Sequence, residues 1–92
     1  MLEAIKLSLR VSHNALDDEL LDLIEAAQHD LILSGVSSEK AEAETDVDPL
    51  IKRAITIYVK ANFVSDSKDA ERFQCSYDML KNHLTLAGDY NG

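Results

Sequence analysis

Residues 48–63, DPLIKRAITIYVKANF, hold a helix start and a broad apolar face in one uninterrupted run. Asp48 is placed to cap a helix, and Pro49 suits the first helical position, where a missing N–H costs nothing. The apolar pattern begins at once. Leu50, Ile51, Ala54, Ile55, Ile57, Tyr58, Ala61 and Phe63 cover more than half of the helix circumference, leaving Lys52, Arg53, Thr56 and Lys60 clearly wet. A face that broad belongs to the central helix of a bundle, or to a helix that a neighbouring subunit also covers.

Upstream, Leu16, Leu20, Leu23, Ile24, Ala27 and Leu31 recur at helical spacing, with Asp18, Asp22, Glu25 and His29 along the opposite side. Asn14 is the expected N-cap, the acids after it complement the helix dipole, and Gly35 is the expected positive-φ residue past the end. Leu2, Ile5 and Leu9 predict a short opening helix, interrupted by residues 11–14. Downstream, residues 65–68 read as a polar turn. A last helix is expected over residues 69–87, its seam formed by Ala70, Phe73, Tyr77, Leu80, Leu84 and Ala87. Cys75, Met79 and Leu86 form a second, weaker stripe, either extra core or part of a partner contact. Residues 36–47 have few apolar side chains and nothing that would hold a helical turn onto a core, so they read as a mobile acidic loop. Residues 89–92 read as a frayed tail.

The expected fold is therefore all-α: a small bundle of three main helices plus a short N-terminal helix, with a long acidic loop between the second and third segments. At 92 residues this is one domain, 1–92, too small to enclose a deep substrate cavity. No apolar stretch approaches the roughly 18–20 residues of a membrane span, and Met1 to Arg10 lacks the pattern of a signal peptide.

Charge is divided unevenly. Residues 13–48 hold eleven acids against Lys40 alone, a net of −10, while the remainder holds eight bases and six acids, a net of +2. Tight wrapping of DNA, which depends on Lys and Arg neutralising phosphates, is disfavoured by this balance. A helix-turn-helix formed by the last two helices would open its recognition helix with Asp69 and Glu71, placing carboxylates against phosphates and base edges.

Chemistry-bearing motifs are few. Cys75 and His83 stand eight residues apart on one helix, roughly 12 Å of rise, too far for a nucleophile–base hydrogen bond. Glu25 and His29 share a helix face, but at the wrong spacing and without the second copy that a di-metal carboxylate site needs. A lone cysteine excludes an internal disulfide, and the three glycines, Gly35, Gly88 and Gly92, form no phosphate-binding loop. No catalytic, cofactor-binding or metal-ligating residue is expected.

The order of the motifs resembles a known family. Leu7-Ser8-Leu9-Arg10-Val11 and then residues 17–27, DDELLDLIEAA, resemble the opening of the phage head–tail connectors, often labelled phage DNA-packaging proteins. Residues 48–55 (DPLIKRAI), 70–74 (AERFQ) and 77–81 (YDMLK) resemble the later helices of that family. The resemblance spans residues 2–90. It departs at His29-Asp30-Leu31, where the family frequently carries an aromatic residue. The resemblance implies a structural, non-enzymatic homo-oligomer. Its subunits form a ring beneath the portal in the virion neck, having assembled in the host bacterial cytoplasm. It also implies contacts with portal and tail-completion proteins, and a channel that passes DNA without sequence-specific binding; no small molecule or membrane is involved. Ile57, Phe63, Cys75, Met79 and Leu86 are the candidate subunit-interface residues. The alternative reading is a small nucleic-acid-binding packaging factor or regulator, similar to a terminase small subunit or a helix-turn-helix protein.

Overall fold

The structure, a computed structural model, describes residues 1–63, 67–86 and 88–90. Among these residues there are five α-helices and no β-strand: α1 (Leu2–Leu9), α2 (Asp17–Leu33), α3 (Ser38–Ala41), α4 (Pro49–Phe63) and α5 (Ser67–Leu86), followed by a 3-10 turn at Gly88–Tyr90. α4 is central. It packs on α2 and α5, and α1 lies across α2 and α4.

The helix ends follow local chemistry. Asp48 caps α4 as expected, its Oδ1 accepting from the N–H of Leu50 at 2.8 Å and of Ile51 at 3.4 Å. α2 closes with a Schellman motif. Gly35 takes φ +116°, its N–H donates to the Ile32 carbonyl at 3.0 Å, and the Val36 N–H reaches back to Leu31 at 3.0 Å. Val36 and Leu31 are both buried, which supplies the hydrophobic contact that accompanies this motif. Arg10 ends α1 in the left-handed region at φ +60°, without glycine's freedom.

The start of α2 differs from expectation. The helix begins at Asp17, and the Asn14 side chain turns to accept from Lys6 Nζ at 2.8 Å rather than capping. Lys6, nearly buried, also pairs with Asp17 at 2.8 Å. A buried ammonium needs partners on several sides, and satisfying Lys6 recruits Asn14 and Asp17 together, tying α1 to the head of α2.

The core contains Ile5 of α1, Leu20, Ile24, Ala27 and Leu31 of α2, Ile51, Ala54, Ile55 and Val59 of α4, and Tyr77 and Leu84 of α5. Val36 and Ala41 complete it from the connection between α2 and α4. That connection departs from the expected unanchored loop. α3 forms within it, and Ala41 is fully buried. The expected frayed tail departs similarly, because Tyr90 packs against the core. Its carbonyl accepts from the Ser37 N–H at 2.6 Å, its hydroxyl donates to Asp48 Oδ2 at 2.9 Å, and Lys40 Nζ stands 5.2 Å from its ring. One aromatic from the far end of the chain thus pins both ends of the acidic connection. α5 also begins earlier than expected, taking in Ser67 and Lys68. Expectations for residues 64–66, Ala87 and residues 91–92 fall outside the described residues.

Candidate assembly surface

α2 and α4 each divide into a buried and a wet side, and those sides decide what the surface can do. On α2 the residues facing the core are Leu20, Ile24, Ala27 and Leu31; the opposite side exposes Asp18, Asp22, Glu25 and His29, with Leu21 beside them 47% exposed. No Lys or Arg occurs in this helix. Asp18, Asp22 and Glu25 therefore give α2 an outer face of one charge sign.

α4 is the reverse. Its buried side carries Ile51, Ala54, Ile55 and Val59, and its far side carries Lys52, Arg53, Thr56, Ile57 and Lys60. These residues border an open groove of about 610 Å³ between α1, α4 and α5. Ala4 and Leu7 of α1, Ile57 of α4 and Phe73 of α5 supply its apolar lining; no Asp or Glu lines it. Leu7 is 80% exposed, a large apolar side chain held in solvent at the groove edge. Among the described residues, no carboxylate lies within 4.0 Å of Lys52 or Arg53, and the Lys60 ammonium sits 5.8 Å from the centre of the Phe73 ring. The groove continues past Arg53, Ile57 and Ser76 into a second concavity edged by Met79, Leu80 and His83.

The five candidate interface residues separate on this map. Ile57 is half-buried and lines both concavities. Met79 edges the second and is 71% exposed. Cys75 and Leu86 are exposed on α5, so the second stripe is not extra core. Phe63 is half-buried and packs against the core. Leu50, on the broad apolar face of α4, is partly exposed in the first turn, while Val59 is fully buried.

The sequence reading missed a polar cluster at the α2–α5 contact. Tyr77 is fully buried, and its hydroxyl donates to Asp30 Oδ2 at 2.5 Å. Lys81 reaches the same oxygen at 3.2 Å and lies 5.2 Å from the Tyr77 ring. Tyr58 of α4 meets Tyr77 edge-on at 5.1 Å. Burial above all, then the hydrogen bond to the Asp30 carboxylate, pushes the Tyr77 phenol far above its ordinary range. The cluster sits where the sequence resemblance departs, at Asp30, and there it joins α2 to α5 with a charge-assisted hydrogen bond. The signal was present as three polar residues at helix positions facing the seam, but a 47-residue separation hides it from any periodicity.

Asp48 is the second perturbed group. Its limited burial acts to raise its pKa. The Tyr90 hydroxyl, the N–H groups of Leu50 and Ile51 and the charge of Lys40 outweigh that and hold it below the usual carboxylate range. Cys75 and His83 both lie exposed on α5, and Glu25 and His29 share the wet face of α2. Among the described residues, no three His, Cys, Asp or Glu side chains group closely enough to hold a metal ion, and no helix is long and apolar enough to cross a membrane.

The fold is thus a central helix clasped by its neighbours, with a basic groove on one side and an acidic helix face on the other. The chain belongs to the phage connector protein family, whose model matches residues 1–91. Its role is that of a structural head–tail connector protein, in a non-enzymatic family. No curated protein and no solved structure matches the chain.

Proposed function

We propose that this chain is the repeating subunit of a connector ring, placed beneath the portal in the virion neck, that joins capsid to tail and extends the channel for DNA. Family membership over nearly the whole chain is the observation that carries this reading. The surface agrees with it. A closed ring of identical subunits needs two different, complementary faces on each copy, and this chain has chemically opposite faces on α2 and α4. Portal and tail-completion proteins are the expected neighbours above and below the ring, and assembly takes place in the host bacterial cytoplasm.

The exposed acids of the α2–α4 connection, Glu39, Glu42, Glu44 and Asp46, suit a surface past which DNA slides, since like charge repels phosphate and prevents gripping. The competing reading, a nucleic-acid-binding packaging factor, draws on Lys52, Arg53 and Lys60. Against it, Asp69 at the head of α5 engages Arg72 at 2.5 Å, so that basic residue of a would-be recognition helix is already paired with a carboxylate.

Sedimentation velocity over a concentration series, with and without a short labelled duplex at low salt, tests the proposal. A discrete closed oligomer that leaves the duplex free is the expected result. A small species that co-sediments with the duplex would overturn it.

A further inference from the structure

We propose that the groove between α1, α4 and α5 is the socket for a second copy of this chain, filled by the acidic outer face of the neighbour's α2. The inference rests on the ring reading above and adds which surfaces meet. Three observations support it. First, the groove joins apolar lining from Leu7, Ile57 and Phe73 to cationic Lys52, Arg53 and Lys60, and contains no acidic residue. Such a site accepts a partner that is apolar at its centre and negative around it. Second, the α2 outer face has that composition: Leu21, 47% exposed, flanked by Asp18, Asp22 and Glu25. Third, the two surfaces cannot satisfy each other within one molecule. Both helices turn their buried sides inward, so the wet side of α2 and the wet side of α4 point away from one another across the α2–α4 pair.

A contact between unlike faces is heterologous: each copy offers its helix to one neighbour and its socket to the other, and the chain of contacts closes when the rotation permits. The available surface is sufficient. A standard contact takes roughly 800 Å² from each partner, so two contacts per subunit draw on about a quarter of the 5873 Å² exposed by the chain. The exposed Met79 at the end of the groove extends the socket.

Charge reversal of each face tests the pairing. K52E/R53E makes the socket acidic, and D22K/E25K makes the helix face basic; all four positions are exposed, and circular dichroism checks that each variant folds. Sedimentation velocity at low salt is run on wild type, each variant, their equimolar mixture and the fourfold variant. Each single-face variant should lose at least about tenfold in association, since like charges then meet across the contact. The mixture should recover association, because the basic helix of one variant meets the acidic socket of the other and the remaining faces also match. The fourfold variant should associate alone, to within about threefold of wild type. Wild-type oligomers indifferent to both reversals would overturn the socket while leaving ring assembly standing. A wild type that remains monomeric at every concentration would overturn self-assembly and the socket with it. A socket reversal that leaves association intact but abolishes duplex binding would assign the groove to nucleic acid and overturn the proposal.

Discussion

Removing one oxygen from Tyr77 is a well-defined perturbation of this fold. Tyr77→Phe keeps the buried ring and its edge-on contact with Tyr58 and deletes only the hydroxyl that donates to Asp30. A hydrogen bond to a charged group contributes about 1.5–3 kcal/mol. Asp30 keeps Lys81 as a partner, and its side chain is 36% exposed, so water partly replaces the lost donor. The cost therefore falls at the lower end, about 1.5 kcal/mol. With an m-value of roughly 1–1.5 kcal/mol/M for a small domain, the urea midpoint should drop by about 1 M. The same substitution carries a pH signature. The folded-state phenol is raised above its unfolded value of 10.0, so its contribution is complete below pH 10 and is lost as pH rises toward the folded pKa. Above pH 10 the unfolded chain releases this proton while the folded chain keeps it, and wild type should lose stability by up to about 1.4 kcal/mol per pH unit from this group. Tyr77→Phe should lack that component, so urea unfolding at pH 7 and pH 11 should show the two proteins converging at alkaline pH. A variant as stable as wild type at pH 7, with an unchanged alkaline slope, would refute the assigned role of the hydroxyl.

Gly35→Ala should cost about 1 kcal/mol in chemical denaturation. The added Cβ meets nothing within 4 Å, so the penalty would come entirely from the +116° backbone angle. Asp48→Ala removes the α4 cap and the acceptor for Tyr90, and should lower stability by about 1–2 kcal/mol at pH 7. Because the folded Asp48 pKa lies below 3.8, wild type holds this contribution above that pH and loses it as pH falls further; the variant's acid unfolding curve should flatten there. Ala41→Glu places a carboxylate at a fully buried site, and should cost about 2–4 kcal/mol and speed amide exchange over residues 36–47. Unchanged exchange would show that Ala41 does not anchor α3.

The helices were legible because their signals are local. Asp48-Pro49 and Gly35 mark an entry and an exit in single residues, and the stripe from Leu20 to Leu31 repeats within one helix. What was not legible depends on residues distant in sequence. Ala41 looks unremarkable in an acidic stretch, and it becomes core because α3 packs back on α2, while Tyr90, 49 positions later, bonds to Ser37 and Asp48 at the two ends of that stretch. Asn14 reads as a cap until Lys6 is seen to be buried and in need of acceptors. Leu50 is partly exposed and Val59 fully buried, because the breadth of the α4 apolar face does not say which part of it meets the neighbouring helices. Ile57 and Met79 stand out in the sequence as surplus apolar positions, and the fold sets them at the edge of the concavities on α4 and α5. The groove itself needs three helices to converge before its charge and shape exist.

Negative-stain electron microscopy of the concentrated protein at low salt tests the central claim most directly. A connector subunit with unlike faces should yield rings of uniform diameter with a central opening wide enough for duplex DNA. Compact dimers without an opening, or a field of monomers at every concentration, would contradict a ring built by this chain.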